Sequence, residues 1–386
     1  MRKSIIVLGS GMVGAAMAND LSKRFNVTLV DINDKALDNV RSQNTEIQTK
    51  AADLSNTDTI RKHIKDFDLV VSAVPGFMGY HTLKTIIGSG KNVVDISFFP
   101  ENALELQKLA EDKGVTAIVD CGVAPGLDNL ILGYYNEKMV LTDFECLVGG
   151  LPKVKKWPFA YKAPFSPIDV IEEYTREARY VENGKIVVKQ ALTEPEIIEF
   201  DNVGSLEAFN TDGLRSIIYT MPDIPNMKEK TLRYPGHIEY IKVLKESGFF
   251  AKGPIRVGSE EISPIEFTSK ILFKEWKLDP NEVEFTVMRV TLRGMDKGVK
   301  KEVIYDLYDE YCPETKVSSM ARTTGYTATA TADMLLEGLF DKVGVFPLEL
   351  VGSHEVCFKH VMRYLAERNV VLRRREEVLS DTMVLV

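Results

Sequence analysis

Three glycines near the N-terminus, in SIIVLGSGMVGAAMANDL, constrain the fold of this 386-residue chain more than any other feature. They lie between a β-branched apolar run and a helix-like segment. Gly9 ends the predicted strand, Gly11 lets the backbone approach a pyrophosphate, and Gly14 lets helix and strand pack closely. Amides at the N-terminus of the helix suit phosphate groups. Asp31 follows about 20 residues later, at the end of VTLVD, as the dinucleotide-binding fingerprint requires.

The first third of the chain repeats this unit of strand and helix. Apolar runs such as VTLVD, DLVVSAVP, KNVVDIS and VTAIVDCG alternate with amphipathic segments. Continuous apolar strands flanked by helices are typical of a parallel sheet that is covered on both faces. We therefore predict an α/β fold whose first domain, residues 1–125, is a doubly wound parallel (Rossmann) sheet that binds a dinucleotide.

The acidic residue at the end of the second strand predicts which dinucleotide binds. A carboxylate at Asp31 accepts hydrogen bonds from the adenosine ribose and repels a 2′-phosphate, and no Arg or Lys follows in Ile32-Asn33-Asp34. The sequence therefore favours NAD over NADP. Contacts are also expected at two later strand ends, although small residues there could equally serve packing. The predicted cofactor contacts are Gly9, Ser10, Gly11, Met12, Val13, Gly14, Asp31, Ser72, Ala73, Val74, Pro75, Asp95 and Ser97.

The rest of the chain has a different pattern. Segments such as DFECLVGGLP, KIVVKQ, IEFTSKILF and EVEFTVMRVTLRG indicate longer strands of a mixed or antiparallel sheet, with helices between them. We predict a second α/β domain over residues 126–319 that binds the substrate. The small-residue segment MARTTGYTATATADMLLEGLF begins a C-terminal helical segment, residues 320–386, that is expected to pack back on the first domain.

Composition and charge narrow the classes of partner. The net charge is −8 and no run of Lys or Arg resembles a nucleic-acid stripe, which favours small molecules or a second copy of the chain. The four cysteines form no CxxC pair and no metal-ligand spacing with the histidines, so we expect a reduced cytoplasmic protein without a structural metal. IIVLG is too short for a signal peptide, and no apolar run reaches the ~18 residues of a membrane span.

Several separate motifs carry a resemblance to a known family. They are GGLP at 149–152, YKAPFSP at 161–167, EAFNTDGLR at 207–215, TLRYPGHIEYIKVLKESGFF at 231–250 and MARTTGYTATATADML at 320–335. Together they resemble the saccharopine dehydrogenase and lysine 6-dehydrogenase family over nearly the whole chain. The resemblance implies a nicotinamide-dependent oxidation at the carbon that bears the ε-nitrogen of lysine. This reaction needs a base for the ammonium proton, and water attacks the imine afterwards.

The resemblance also nominates catalytic residues. Asp128 matches the family's PGxD turn and is the first candidate for acid/base work or ammonium binding, with a helix cap as the alternative. His237 follows a Pro-Gly turn and is a candidate proton carrier, or a structural histidine. Cys121 precedes the PGxD turn and lines the predicted site, unless it is inert packing.

An amino-acid substrate needs a cation for its carboxylate, and two arginines fit this role. Arg233, in TLRYPG, is the better candidate because the following turn fixes its direction, whereas Arg215 could be a surface ion pair. The family's substrate-side loops nominate the remaining substrate-binding residues, which are Asn210, Thr211, Tyr161 and Lys162.

The expected substrate is inferred from positions where this sequence departs from the family motifs. The family's NRDS-like segment, associated with saccharopine, reads NTDG here, so a potential carboxylate clamp is missing at Thr211. We therefore expect a lysine 6-dehydrogenase with NAD. The alternatives are a saccharopine dehydrogenase, a carboxynorspermidine-type dehydrogenase, or a dinucleotide-binding protein without catalysis. A homodimer or homotetramer is expected from the family and from the long strands of the second domain.

Overall fold

The computed structural model describes residues 2–163, 167–279 and 282–379. The first domain alternates strands and helices and includes a short 3₁₀ helix at Ala103–Leu106. Its elements are β1 (Ser4–Leu8), α1 (Met12–Ser22), β2 (Asn26–Asp31), α2 (Asp34–Gln43), β3 (Gln48–Ala51), α3 (Thr57–Ile64), β4 (Leu69–Ser72), α4 (Gly76–Gly88), β5 (Val93–Asp95), α5 (Gln107–Lys113) and β6 (Thr116–Val119).

The rest of the chain forms longer strands with helices between them. Its elements are α6 (Leu127–Asn136), β7 (Val140–Pro152), α7 (Pro167–Thr175), β8 (Ala178–Glu182), β9 (Lys185–Lys189), β10 (Glu196–Phe200), β11 (Gly204–Asn210), α8 (Ile217–Thr220), β12 (Asn226–Arg233), α9 (His237–Glu246), β13 (Ile255–Val257), β14 (Glu260–Ile262), α10 (Pro264–Trp276), β15 (Glu284–Asp296), β16 (Val299–Glu310), α11 (Ser319–Leu336), β17 (Gly344–Pro347), α12 (Leu348–Gly352), α13 (Glu355–Ala366) and β18 (Leu372–Val378).

The first sheet is parallel throughout, in the order β17-β6-β5-β4-β1-β2-β3. Alternate side chains of β1 face opposite cores, because Ile5 and Val7 pack on one side and Ile6 and Leu8 on the other. Both faces are therefore covered, as the continuous apolar run predicts. The strand order reverses between β1 and β4, which is where a doubly wound sheet opens a ligand crevice.

The second sheet is mixed. Its strand order is β10-β11-β12-β7-β15-β16-β18. In addition, β8 pairs with β12, and β9 pairs with β8. β12 and β7 are parallel, and the other pairs are antiparallel. The predicted fold class, a Rossmann sheet with a second α/β domain, is confirmed.

The C-terminal part returns to the first domain. α11 packs on α1, and β17 pairs in parallel with β6. Asp20 of α1 anchors this contact, since it accepts hydrogen bonds from Thr329, Tyr364 and Arg368 at 2.7–2.8 Å. The packing of C-terminal helices on the first domain is therefore confirmed. No helix within the described ranges is long and apolar enough to cross a membrane.

Two details of the predicted pattern are wrong. IEFTSKILF lies within helix α10 and is not a strand. Thr268, Leu272 and Trp276 are buried at a spacing of four, which is the period of a helix. Residues 320–386 are not only helical either, because β17 adds a strand to the first sheet and β18 adds one to the second. The segment β18, LRRREEV, carries too little apolar signal for a strand because it is exposed at the sheet edge.

Candidate functional site

A cleft opens at the carboxyl ends of β1, β4, β5 and β6. Its volume is about 540 Å³, which is within the range of small-molecule and cofactor sites. The first domain contributes the glycine turn and the loops after these strands. The second domain contributes residues of β7, α7, β12 and the turn after β11, and α11 contributes Met320 and Thr324.

The glycine turn between β1 and α1 forms the first wall. Gly9 has a left-handed φ of 103°, and a Cβ on Gly14 would lie 2.0 Å from the Gly9 carbonyl oxygen. A Cβ on Gly11, in contrast, would meet no atom within 4 Å, so the space beside the N-terminal amides of α1 stays open. Met12 and Val13 also line the cleft. This wall fits the pyrophosphate of a nicotinamide dinucleotide.

Asp31 ends β2 and lines the cleft beside the glycine turn. Its Oδ2 accepts a hydrogen bond from the Ser10 amide at 2.6 Å, and its Oδ1 accepts one from the Asn33 amide at 2.8 Å. Asn33 caps α2, and the side chain of Ile32 is exposed. The two amides fix the direction of the carboxylate, which suits it to accept hydrogen bonds from ribose hydroxyls.

Some residues at the ends of β4 and β5 line the cleft, whereas others are buried in the layer beneath it. Ser72 and Asp95 face each other across the two strands and are buried. The Ser97 hydroxyl donates to Asp95 at 2.9 Å, and burial raises the pKa of Asp95 to about 7. The predicted residues that line the cleft here are Ala73, Val74, Pro75 and Ser97.

One face of β12 forms much of the opposite wall. Glu229, Thr231 and Arg233 alternate along the strand and all line the cleft, because residues two apart in a strand point to the same side. The Thr211 hydroxyl lies 2.9 Å from that of Thr231 and lines the cleft with it. This face places a carboxyl group at one end of the wall and a guanidinium group at the other.

Arg233 is buried among aromatic and acidic groups. Its guanidinium group donates to Glu173 at 2.9 Å and to the Tyr174 hydroxyl at 3.2 Å. It also lies 4.3 Å from the centre of the Tyr161 ring, a distance that allows a cation–π contact. The structure therefore brings together two of the predicted substrate-binding residues, Arg233 and Tyr161, with a glutamate that the sequence did not indicate.

His237 lies behind this cluster. Its Nδ1 is 2.9 Å from the Phe159 carbonyl oxygen, and its Nε2 is 2.9 Å from the Tyr174 hydroxyl. A carbonyl only accepts, so Nδ1 carries the proton and Nε2 accepts from Tyr174. Burial, reinforced by the Arg233 charge, lowers the pKa of His237 to about 3. The imidazole is neutral at ordinary pH and supports Tyr174 and, through it, Arg233.

Asp128 lies in the first turn of α6 and is fully buried. Its Oδ1 accepts from the Gly126 amide at 2.8 Å, whereas Oδ2 has no hydrogen-bond partner among the described residues. One side-chain atom each from Asp128, Cys146 and Glu229 lie within 4.8 Å of one another. Burial raises the pKa of both carboxyl groups. The charge of Asp128 raises the pKa of Glu229 further, and the charge of Glu349 does the same for Asp128.

The same three side chains are the group that could hold a metal ion in the described part of the chain. Burial raises the pKa of the Cys146 thiol well above its usual range. A metal ion would need the deprotonated thiolate as its ligand. Because the thiol of Cys146 stays protonated, these three side chains are better suited to hold a proton between them than to bind a metal ion. Of the three, Glu229 is the one that lines the cleft.

The other predicted site residues lie outside the cleft lining that the described residues form. Cys121 is buried against the Thr331 hydroxyl, and burial raises its pKa to about 12. Arg215 forms an ion pair with Asp120 at 2.8 Å. Asn210 donates to the Thr193 hydroxyl, and Lys162 donates to the Glu275 carbonyl. Pro164, Phe165 and Ser166 of the YKAPFSP motif lie outside the described residues. The roles assigned to all of these residues stay predictions.

Sequence reasoning missed Asp120, which follows β6, and four carboxylates on the opposite side of the cleft. These four lie on the second-domain side, and they are Glu172, Glu173, Asp212 and Glu229. The alternation E-K-T-L-R in β12 places Glu229 on the face of Arg233, and this signal was available. The other three reach the cleft through sheet pairing and the placement of α7, which no local pattern specifies.

Comparison with known proteins identifies the family. The model "Saccharopine dehydrogenase NADP binding domain" matches residues 5–118, and the model "Saccharopine dehydrogenase C-terminal domain" matches residues 122–370. A solved structure, saccharopine dehydrogenase (L-Glu forming) from Saccharomyces cerevisiae, covers 97% of this chain and 100% of its own with a TM-score of 0.79 and 19% identity. This likeness shows the shared fold.

Two curated relatives extend the comparison. Alpha-aminoadipic semialdehyde synthase of Rattus norvegicus is 28% identical over 91% of this chain, which spans only 46% of that protein. Saccharopine dehydrogenase [NADP(+), L-glutamate-forming] of Pyricularia oryzae is 26% identical over 76% of this chain and 68% of its own length. The chain thus spans about half the length of the first of these relatives. Because the C-terminal family model alone matches more than half of it, the chain belongs to the saccharopine dehydrogenase family of oxidoreductases.

Proposed function

We propose that the chain is a dehydrogenase that oxidises the C–N bond at the ε-carbon of lysine, with NAD as the hydride acceptor. The observation that carries this proposal is the charge of the second-domain wall. Four carboxylates line it against two guanidinium groups, and the two arginines, Arg176 and Arg233, are already paired with Glu172 and Glu173.

This wall suits a ligand with few carboxylates. Lysine brings one carboxylate and two ammonium groups, whereas saccharopine brings three carboxylates and two nitrogens. Two additional carboxylates would lie against a wall whose arginines already have partners, and like charges in a partly dry cleft cost several kcal/mol. Free lysine is therefore the better electrostatic match.

The Arg233–Glu173 pair is a suitable receptor for the α-amino acid end of lysine. Arg233 would donate a hydrogen bond to the α-carboxylate, and Glu173 would accept hydrogen bonds from the α-ammonium. Tyr161 and Tyr174 hold the guanidinium group from the side, so that its direction is fixed before the substrate arrives. The ε-carbon would then extend along β12 towards Glu229.

The dinucleotide supplies one piece of chemistry, the acceptance of hydride from the ε-carbon. The chain supplies the remaining functions. The glycine turn and Asp31 would bind the cofactor, and the wall of β12 would orient the amine and receive its proton. The buried surroundings of the cleft strengthen each of these contacts because they exclude competing water.

The preference for NAD depends on Asp31. The family model and the Pyricularia relative carry NADP in their names, which makes the carboxylate of Asp31 the decisive residue in this chain. It lines the cleft, and the two arginines among the lining residues both lie in the second domain, away from the predicted position of the adenosine. A 2′-phosphate would meet a negative charge without a compensating cation from the described lining.

Exchanging this charge is expected to reverse the cofactor preference. In a double variant, Asp31→Ser with Ile32→Arg, the serine still accepts from the Ser10 amide and the exposed position 32 admits an arginine. The ratio of kcat/KM for NAD to that for NADP should fall by about 100-fold or more, because several kcal/mol of repulsion are replaced by attraction. Initial rates with both cofactors measure this ratio. The single variant Ile32→Arg is the control, and a wild-type preference for NADP would refute the argument.

A second candidate, saccharopine oxidation, is favoured by the name of the Pyricularia relative, which matches most of both chains. Its larger substrate would need a second guanidinium group, and the other arginine of the described cleft lining is Arg176, which is paired with Glu172. Association into a homodimer or homotetramer stays a prediction.

Dinucleotide reduction at alkaline pH separates these candidates. The wild-type chain is expected to reduce NAD with lysine and to respond weakly to saccharopine, ornithine and carboxynorspermidine. Ornithine lacks one methylene, and such a loss typically costs about 1–3 kcal/mol of specificity. Absorbance of the reduced cofactor measures all four rates. A higher kcat/KM for saccharopine than for lysine would replace the first proposal by the second.

A further inference from the structure

Glu229 differs from the other carboxylates of the second-domain wall because one of its buried oxygens has no hydrogen-bond partner among the described residues. Its side chain lines the cleft although the residue is only 4% exposed. Its Oε2 has no hydrogen-bond partner, and its carboxyl group forms no ion pair with any described residue. The other three carboxylates of this wall each have an arginine partner. A buried polar atom without a partner at the surface of a cleft is an acceptor that a ligand can satisfy.

The backbone makes room for this carboxyl group. A Cβ on Gly213 would lie 2.1 Å from both Cδ and Oε1 of Glu229, so any side chain at position 213 would displace it. The strand also fixes its direction, because Glu229 shares one face of β12 with Thr231 and Arg233. Glu229 is therefore held in place by packing and not by ion pairs.

We propose that Glu229 is the general base that removes the proton from the ε-ammonium group of the substrate. Asp128, which lies behind it and outside the cleft, acts as a positioning residue. This inference rests on the proposed function, since it assigns a role within that reaction. On the side of Glu229 away from the cleft, one side-chain atom each of Asp128 and Cys146 lies within 4.8 Å of a Glu229 carboxylate oxygen.

The length of lysine matches the distance along β12. Glu229 and Arg233 are four residues apart, which is about 13 Å at roughly 3.3 Å per residue. Extended lysine measures about 7 Å from its carboxylate carbon to the ε-nitrogen, from bonds of about 1.5 Å. A hydrogen bond of about 3 Å at each end brings the span to about 13 Å. One lysine can thus contact both residues, with its carboxylate at Arg233 and its ammonium at Glu229.

The proposed reaction begins with a proton transfer to Glu229 and continues with hydride transfer from the ε-carbon. The ε-ammonium gives its proton to the Glu229 carboxylate and becomes a free amine. The C–H bond at the ε-carbon then breaks, its electron pair leaves as hydride to NAD, and the nitrogen lone pair forms the C=N bond. The substrate is oxidised by two electrons and the dinucleotide is reduced by two. Water adds to the resulting iminium ion after the hydride has left.

The surroundings of Glu229 make it a stronger base than an ordinary carboxylate. Burial raises its pKa, and the charges of Asp128, Asp212 and Glu173 raise it further, whereas Arg215 lowers it. The Cys146 thiol, which packs beside Asp128, stays protonated. A base whose pKa moves towards that of an amine transfers the proton at a lower free-energy cost. The ionised form is needed, so kcat/KM should fall as the pH drops through this raised pKa.

The experiment compares wild type, Glu229→Gln, Asp128→Asn and Glu145→Gln over a pH series. Initial rates use NAD and whichever amine the wild type turns over fastest. Glu229→Gln should lower kcat by about 100-fold or more, which is typical for the loss of a general base, without weakening NAD binding. Asp128→Asn keeps an oxygen for the Gly126 amide but removes the neighbouring charge. It should move the acid limb of the kcat/KM profile to lower pH by about one unit.

Glu145→Gln is the matched control, because Glu145 lies on the adjacent strand β7, paired with Lys228 at 2.6 Å and outside the described cleft lining. It should leave the rate and the acid limb unchanged. The inference is overturned if Glu229→Gln keeps wild-type kcat, or if the acid limb of Asp128→Asn does not move. If the amine is not lysine, the proposed function fails separately while the comparison of variants still decides the role of Glu229. If no amine reacts, both proposals fall.

Discussion

The substitution Gly14→Ala is expected to destabilise the chain and to abolish tight binding of NAD. The new Cβ would lie 2.0 Å from the Gly9 carbonyl oxygen and 2.9 Å from its carbon. The backbone at Gly9 cannot easily yield, since its amide donates to Val30 at 2.8 Å within the sheet. Helix α1 must therefore move away from β1. Overpacking of this kind costs about 1–3 kcal/mol, and the displaced helix carries the amides that would bind the pyrophosphate.

Gly11→Ala separates the two effects. A Cβ there would meet no protein atom within 4 Å, and the φ of −67° suits alanine. This variant should keep the wild-type free energy of unfolding but still bind NAD more weakly, because the methyl group fills the space predicted for the pyrophosphate. Urea unfolding and fluorescence titration with NAD measure the two quantities. Equal stability of Gly14→Ala and wild type would contradict the steric argument.

Arg215→Met is expected to cost about 3–5 kcal/mol of stability, which is typical when one partner of a buried ion pair is removed. Arg215 and Asp120 lie 2.8 Å apart, and their side chains are only 6% and 5% exposed. Arg215 also donates to the Phe99 carbonyl at 2.6 Å. The variant would leave a buried carboxylate and a carbonyl without this donor, where the second domain meets the first.

Two further variants test this explanation. Arg61 pairs with Asp58 on the surface of α3, where the side chains are 57% and 87% exposed. Arg61→Met should cost no more than about 1 kcal/mol, as is usual for an exposed pair. Adding Asp120→Asn to Arg215→Met should restore part of the lost stability, since Asn carries no charge and tolerates the left-handed φ of 51° at this position. Similar losses for the Arg215 and Arg61 variants would disprove the role of burial.

The sequence predicts those parts of the fold that depend on local pattern. The central strands of the first sheet are apolar on both faces, and the glycine turn with Asp31 is a local motif, so both could be recognised. Strand β18 and the helical nature of IEFTSKILF were missed. An exposed edge strand carries little apolar signal, and a short segment with many β-branched and aromatic residues satisfies either period.

In the candidate site, too, local motifs identified single residues but did not identify their contacts with distant segments. Arg233 could be selected from the turn that follows it, but its partners Glu173, Tyr161 and Tyr174 lie 59 to 72 positions away in the sequence. Asp128 was selected from a motif, whereas its contact with Cys146 and Glu229 depends on how α6 lies against the second sheet. Contacts between distant segments are set by tertiary packing, and a single sequence does not specify them.

The parallel pairing of β17 with β6 has a consequence for synthesis of the chain. β6 ends at Val119 and β17 ends at Pro347, so at about 5–20 residues per second a ribosome needs roughly 10–45 s to deliver the missing neighbour. During that interval the buried apolar strand TAIV presents an unpaired edge that can capture another nascent chain. We expect the newly made protein to depend on chaperone protection of this edge until β17 has been synthesised and has paired with β6.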